Sequence, residues 1–259
     1  MTLETESNRH VIPVRETFSC DGAWYVLTSG ELGGSGLSAD DIGERLQSPD
    51  SKVIRELLAA GTCLPLYFPG DCALDEAVIV VGDLSGEEER EWIGRLRSTL
   101  EVPSGEFILV AGGLEEDFEE ALTKSDPDPD GHQSFEKVTV EPGRYLVEVY
   151  AFLGSLTTNE EWEDLPEDAE PIREWWTRTH PGEDVPQWVG SLEDEEYVDS
   201  EEFDLLEYVI RLRKLVENEP AIPLPGQDEG TQWCNVFEFR RPDPCPRGIP
   251  QKRYRDDRE

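Results

Sequence analysis

Three stretches of this 259-residue chain have residue types and spacings capable of chemistry. The first is Asp126-Pro127-Asp128-Pro129-Asp130-Gly131, which begins like a calcium loop. Alternating carboxylates ahead of a glycine can gather hard oxygens around one divalent cation. The pattern then departs from that scheme. The place for a bidentate glutamate is Lys137, and Glu136 falls one position early. Asp126, Asp128 and Asp130 are therefore candidates for weak divalent-cation attraction at most. A polar connection into the next strand is the other reading. No cofactor is otherwise expected.

The second stretch, Gly34-Ser35-Gly36-Leu37-Ser38-Ala39, matches G-x-G-x-x-A between a strand and a helix. A dinucleotide site of that kind rests a pyrophosphate on a helix N-terminus. Here Asp40 and Asp41 follow at once and would repel it, so the stretch reads as a flexible loop.

The third stretch, residues 155–204, holds 18 acids against two bases, Arg173 and Arg178, for a net charge of −16. It also holds four of the seven tryptophans: Trp162, Trp175, Trp176 and Trp188. Clustered acids attract a basic partner over distance and raise the encounter rate. Tryptophan and tyrosine supply the contacts that then hold it. The candidate partner-binding residues are Trp162, Trp175, Trp176, Trp188, Glu193, Asp194, Glu195, Glu196 and Tyr197. The competing reading is a solvated acidic loop whose tryptophans dock onto the parent core.

Catalytic signatures are absent. His10, His132 and His180 are far apart in sequence, and no H-E-x-x-H or G-x-S-x-G occurs. Carboxylates are so abundant that a chance pair of them says little. The five cysteines are widely spaced with no CxxC, which reads as free thiols. Cys245 lies between Pro244 and Pro246 and is expected to be exposed, with no base beside it.

The elements that must position these residues form an α+β pattern. Trp24–Leu27, Ala77–Val81 and Phe107–Ala111 read as strands. Phe135–Val140 alternates at period two, and Pro142-Gly143 then suggests a hairpin returning through Arg144–Leu153. Trp233–Phe239 reads as a final strand. Helices are expected over 38–60, 85–100, 115–124, around 170–178, and over 200–217. Ser85 with Glu88, and Asp199 with Glu202, fit capping boxes. Leu205, Val209, Leu212 and Val216 fit a helical stripe. The expected fold is a mostly antiparallel five- to six-stranded sheet with packed helices and an acidic Trp-rich insertion. The strand–helix–strand from 77 to 111 would suit a parallel crossover. The expected organisation is an α+β core at 1–154, the insertion at 155–204, a return to the core at 205–239, and a basic tail at 240–259. That tail is either disordered or laid back on the acidic body.

Composition limits the function. With 59 acids and 23 bases the net charge is −36, which disfavours direct nucleic-acid binding and anionic membrane surfaces. The longest uncharged run, Leu57–Gly70, is 14 residues and broken by two prolines, so no membrane span is expected. The N-terminus has no basic-then-apolar signal pattern, and a cytoplasmic location is expected. Together these features point to a non-catalytic acidic protein that engages a basic protein partner. Inhibitor, immunity protein and adaptor are the expected types, with mimicry of nucleic-acid charge as one version. A metal-dependent hydrolase built on clustered carboxylates is the alternative. Adaptation of the surface to high salt is a third explanation of the charge.

Overall fold

The computed structural model describes residues 9–112, 115–127, 133–163, 166, 169–193, 204–217, 219–227 and 232–255. Two six-stranded mixed sheets dominate it. In the first the order is β1 (His10–Pro13), β4 (Val78–Val81), β9 (Tyr208–Lys214), β8 (Gly143–Ala151), β5 (Gly94–Val102) and β12 (Glu238–Phe239). In the second it is β10 (Gly226–Gln227), β11 (Cys234–Val236), β3 (Cys63–Tyr67), β2 (Trp24–Ser29), β6 (Glu106–Ala111) and β7 (Phe135–Thr139). Every neighbour is antiparallel except β4 with β9 and β11 with β3. The α+β class with mostly antiparallel strands is as the sequence suggests, but the strands divide between two sheets.

The division explains why the expected hairpin does not form. β7 pairs with β6 in one sheet, and β8 pairs with β5 in the other. Two long chain segments run side by side and both bend from sheet to sheet, at 103–105 and at 140–142. Such corners join the layers of a sandwich. Gly105 sits at the bend with φ +78°, and a β-carbon there would lie 2.5 Å from the Val140 carbonyl oxygen. The Val140 amide donates to the Gly105 carbonyl at 2.8 Å, stitching the two bends together.

Two expected helices are strands over part or all of their described length. The helix opened by Ser85 and Glu88 is real but ends at Glu91 (α3, Gly86–Glu91), and β5 begins at Gly94. In β5, Leu96, Ser98 and Leu100 face inward while Arg95 and Arg97 alternate with them. The apolar i, i+4 spacing of Trp92, Leu96 and Leu100 is also an even spacing, so both periods fit it. Likewise 208–214 is β9, whose Ile210 and Leu212 are buried and whose Arg211 and Arg213 are not. The expected 77–111 crossover is absent, because β4 and β6 lie in different sheets.

One apolar core joins both sheets. It takes Leu96 and Leu100 from β5, Val147 and Val149 from β8, and Leu64 and Leu66 from β3. The rings of Phe68 and Tyr208 meet across it at 5.2 Å. Ile42, Leu46, Ile54, Leu57 and Phe118 bring the apolar faces of α1 (Ala39–Leu46), α2 (Ser51–Ala59) and α4 (Glu115–Thr123) into the same core. Removal of such side chains from water stabilises by about 1.5–3 kcal/mol each. The glycine loop is structural: a β-carbon at Gly33 would lie 2.8 Å from the Gly61 carbonyl oxygen. Ser38 and Asp41 then form the capping box of α1.

A second cluster packs Val80 and Tyr150 against Ile249 and Tyr254 of the C-terminal tail. The described part of that tail, 240–255, therefore lies back on the body and ends in α8 (Lys252–Arg255).

Candidate functional site

Among the described residues, the acidic 155–204 segment forms three short helices: α5 (Leu156–Glu163), α6 (Ile172–Thr179) and α7 (Gln187–Glu193). Pro171 precedes α6 and ends the preceding loop without donating an amide. Trp175 and Trp176 point inward from α6, and Trp188 from α7. They pack with Ile93, Leu153, Val189 and Cys245, with Trp162 at the margin. Trp162 and Trp175 lie 5.7 Å apart, and Trp176 and Trp188 meet edge to face at 5.7 Å. His180 stacks on Trp176 at 4.0 Å. The Trp176 indole N–H donates to the Asp184 carbonyl at 3.2 Å, so the ring's polar edge is satisfied by the insertion itself.

The basic tail closes this cluster. The Arg241 guanidinium lies 4.5 Å from the Trp175 ring centre, and that of Arg247 lies 5.7 Å from Trp176. Arg247 also grips Glu183 with bonds of 2.6 and 2.8 Å. Arg178 grips Glu170 with bonds of 2.7 and 2.9 Å. These charge-assisted bonds hold the Glu170 and Glu183 carboxyls below the usual range. The insertion's acids thus find their first cations within the same chain.

The candidate residues fall into three groups. Trp175, Trp176 and Trp188 are brought together but turned inward, and Trp162 is half-buried beside them. Glu193 closes α7. Asp194, Glu195, Glu196 and Tyr197 lie outside the described residues, as do Asp128 and Asp130. Asp126 is exposed and pairs with Arg15 at 3.4 Å. Among the described residues no group of three His, Cys, Asp or Glu side chains is placed to hold a metal ion.

Cys245 is buried, correcting the expectation of exposure drawn from its flanking prolines. Its amide donates to the Thr179 hydroxyl at 3.1 Å, which fixes it under α6. Burial pushes its thiol up to about 12, so it is not a ready nucleophile. All five cysteines are free.

Two anchoring features were not read from the sequence as parts of this arrangement. One is the tail arginines as covers for tryptophan. Their sequence signal was the change of charge sign after residue 239. The other is Glu88, fully buried, which accepts bonds of 2.7 and 2.6 Å from Arg9 and 2.7 Å from Tyr254. Burial works to raise the Glu88 carboxyl, but these donors and the Ser85 amide hold it below its ordinary value. Its capping-box role was legible, whereas its link to both ends of the described chain was not.

No protein-family model matches the chain, and no curated protein matches it. Among solved structures it is similar to the protein of crocagin biosynthetic gene J, with a TM-score of 0.37 and 12% identity over 82% of this chain and 98% of that one. It is also similar to ComJ from Bacillus subtilis, an inhibitor of the DNA degrading activity of NucA, with a TM-score of 0.33 and 6% identity over 80% of this chain and 96% of that one.

Proposed function

We propose that this chain is a non-catalytic binding protein whose acidic surface engages a basic protein partner, as an inhibitor, immunity protein or adaptor. The observation that carries the reading is the charge left over once internal pairing is complete. With 59 acids and 23 bases, one-to-one pairing of every cation still leaves 36 carboxylates. The cations are also largely engaged within the chain. Arg95 and Arg211 share the buried Glu148, Arg241 and Arg247 cover the tryptophan cluster, and Arg255 pairs with Glu76 and Asp204. The excess negative field therefore faces solvent, where it steers cationic proteins and repels phosphate backbones.

Within that reading, Glu193, Asp194, Glu195 and Glu196 contribute steering. The tryptophans of 162–188 contribute indirectly, by holding the helices that carry the acids. The test is affinity isolation from source cells at low and high salt, followed by kinetics with the purified partner. Neutralisation of Glu193–Glu196 to Gln and Asn should slow association more than it speeds dissociation. Equal effects on both rates would count against steering, and recovery of no charge-dependent partner would sink the proposal.

A further inference from the structure

Arginines lie over three of the chain's seven tryptophans. Arg240 lies over Trp92 at 3.6 Å, Arg241 over Trp175 at 4.5 Å, and Arg247 over Trp176 at 5.7 Å. Trp24 differs. It opens β2, is 37% exposed, and among the described residues no cation lies over it or over its neighbour Tyr67. Trp24 and Tyr67 are cross-strand partners with rings 4.5 Å apart. Trp233 meets Trp24 nearly edge-on at 4.8 Å and is itself fixed by its indole N–H, which donates to the Leu46 carbonyl.

Two acidic residues lie on the paired segments just beyond these rings, where the Phe68 and Cys72 amides donate to the Ala23 and Cys20 carbonyls. β2 begins where β3 ends, so Asp21 and Asp71 leave the same end of the strand pair. Both are exposed, and neither has an ion pair among the described residues. An exposed aromatic ring on a strand end next to acidic residues suits a guanidinium, which can stack on a ring while its N–H groups bond carboxylates.

We infer that the Trp24–Tyr67 surface is the contact anchor for an arginine side chain of the basic partner, repeating between chains the arginine-on-tryptophan contact made within this one. This rests on the basic-partner reading and adds to it a place and a residue type. Charge complementarity selects the occupant: an apolar partner face would gain nothing from Asp21 and Asp71.

The test titrates the full chain with an arginine homopeptide at low and moderate salt. It compares the unmodified protein with Trp24→Leu, Trp24→Phe and the double change Asp21→Asn with Asp71→Asn. Trp24→Leu should weaken binding about tenfold, mainly through faster dissociation, with the salt dependence unchanged. Trp24→Phe should retain most of the affinity, and the double change should reduce the salt dependence. Should Trp24→Leu fail to fold, the indole N–H resonance of Trp24 in the unmodified protein decides, and it should shift on peptide addition. A Trp24 resonance that stays in place, or a folded Trp24→Leu that binds like the unmodified chain, overturns the inference and leaves the basic-partner reading standing. No binding of the peptide by the unmodified chain at low salt overturns both.

Discussion

The guanidinium of Arg240 lies 3.6 Å from the centre of the Trp92 ring and donates to the Trp92 carbonyl oxygen at 2.9 Å. One residue of the basic tail thereby covers and fastens one aromatic residue of the body. Its Nη2 group donates to the Glu89 carbonyl at 2.6 Å and the Arg90 carbonyl at 3.1 Å, at the C-terminal end of α3. Arg240→Ala should lower stability by about 2 kcal/mol, from lost stacking and carbonyls left without donors. Arg240→Lys should recover only part of that, because an ammonium lacks the flat fork. Denaturant unfolding of the two variants checks this.

Glu88 gives the acid side of the stability profile. Its folded carboxyl is held below its ordinary value, so its contribution is complete above the usual glutamate range. That contribution should vanish as pH falls through the usual range to the lower folded value. Glu88→Ala should cost about 3–5 kcal/mol near neutral pH, since it strands the Arg9 charge and the Tyr254 hydroxyl. Glu88→Gln should lessen the acid sensitivity. Midpoints of urea unfolding measured from pH 3 to pH 7 would show both effects.

Glu207 should act in the opposite sense. Burial, with the Glu76 charge added, pushes its carboxyl up from 4.5 to about 7. The unfolded chain sheds this proton first, so its favourable contribution is complete below about pH 4.5 and is lost as pH rises to about 7. Glu207→Gln should then stabilise the protein by about 2 kcal/mol at pH 8 relative to pH 4. A variant whose advantage is independent of pH would contradict this account of Glu207.

The tryptophan cluster predicts a split between stability and contact. Trp175→Ala should destabilise by about 3–5 kcal/mol, because the side chain is almost fully buried and also carries Arg241. A loss below about 1 kcal/mol in thermal or denaturant unfolding would mean that the ring is not part of the core.

Local signals in this sequence were readable where the chain answers to its own neighbours. The helix start at Ser38, the Ser85–Glu88 cap, α2, α4 and the strand runs around residues 24–28, 77–81 and 107–111 all formed close to where residue pattern places them. Pairing was not readable, because β7 and β8 look like a hairpin in sequence but separate at a corner between sheets. The β5 spacing fits both periods, whereas in β9 Val209 and Leu212, three apart, are both buried in different clusters, and partners across the sheet decided both outcomes. The sequence nominated the aromatic residues of 162–188, yet could not show that the distant tail residues Arg241 and Arg247 would cover Trp175 and Trp176. Trp24 read only as a strand residue, since exposure at a sheet end depends on what packs there.

The measurement that bears most directly on the central claim is the association rate with the purified basic partner as a function of ionic strength. Steering by the uncompensated carboxylates predicts a rate that falls at least about tenfold from low to high salt, with dissociation changing little. A rate indifferent to salt, or a partner whose contact surface is neutral or acidic, would contradict it.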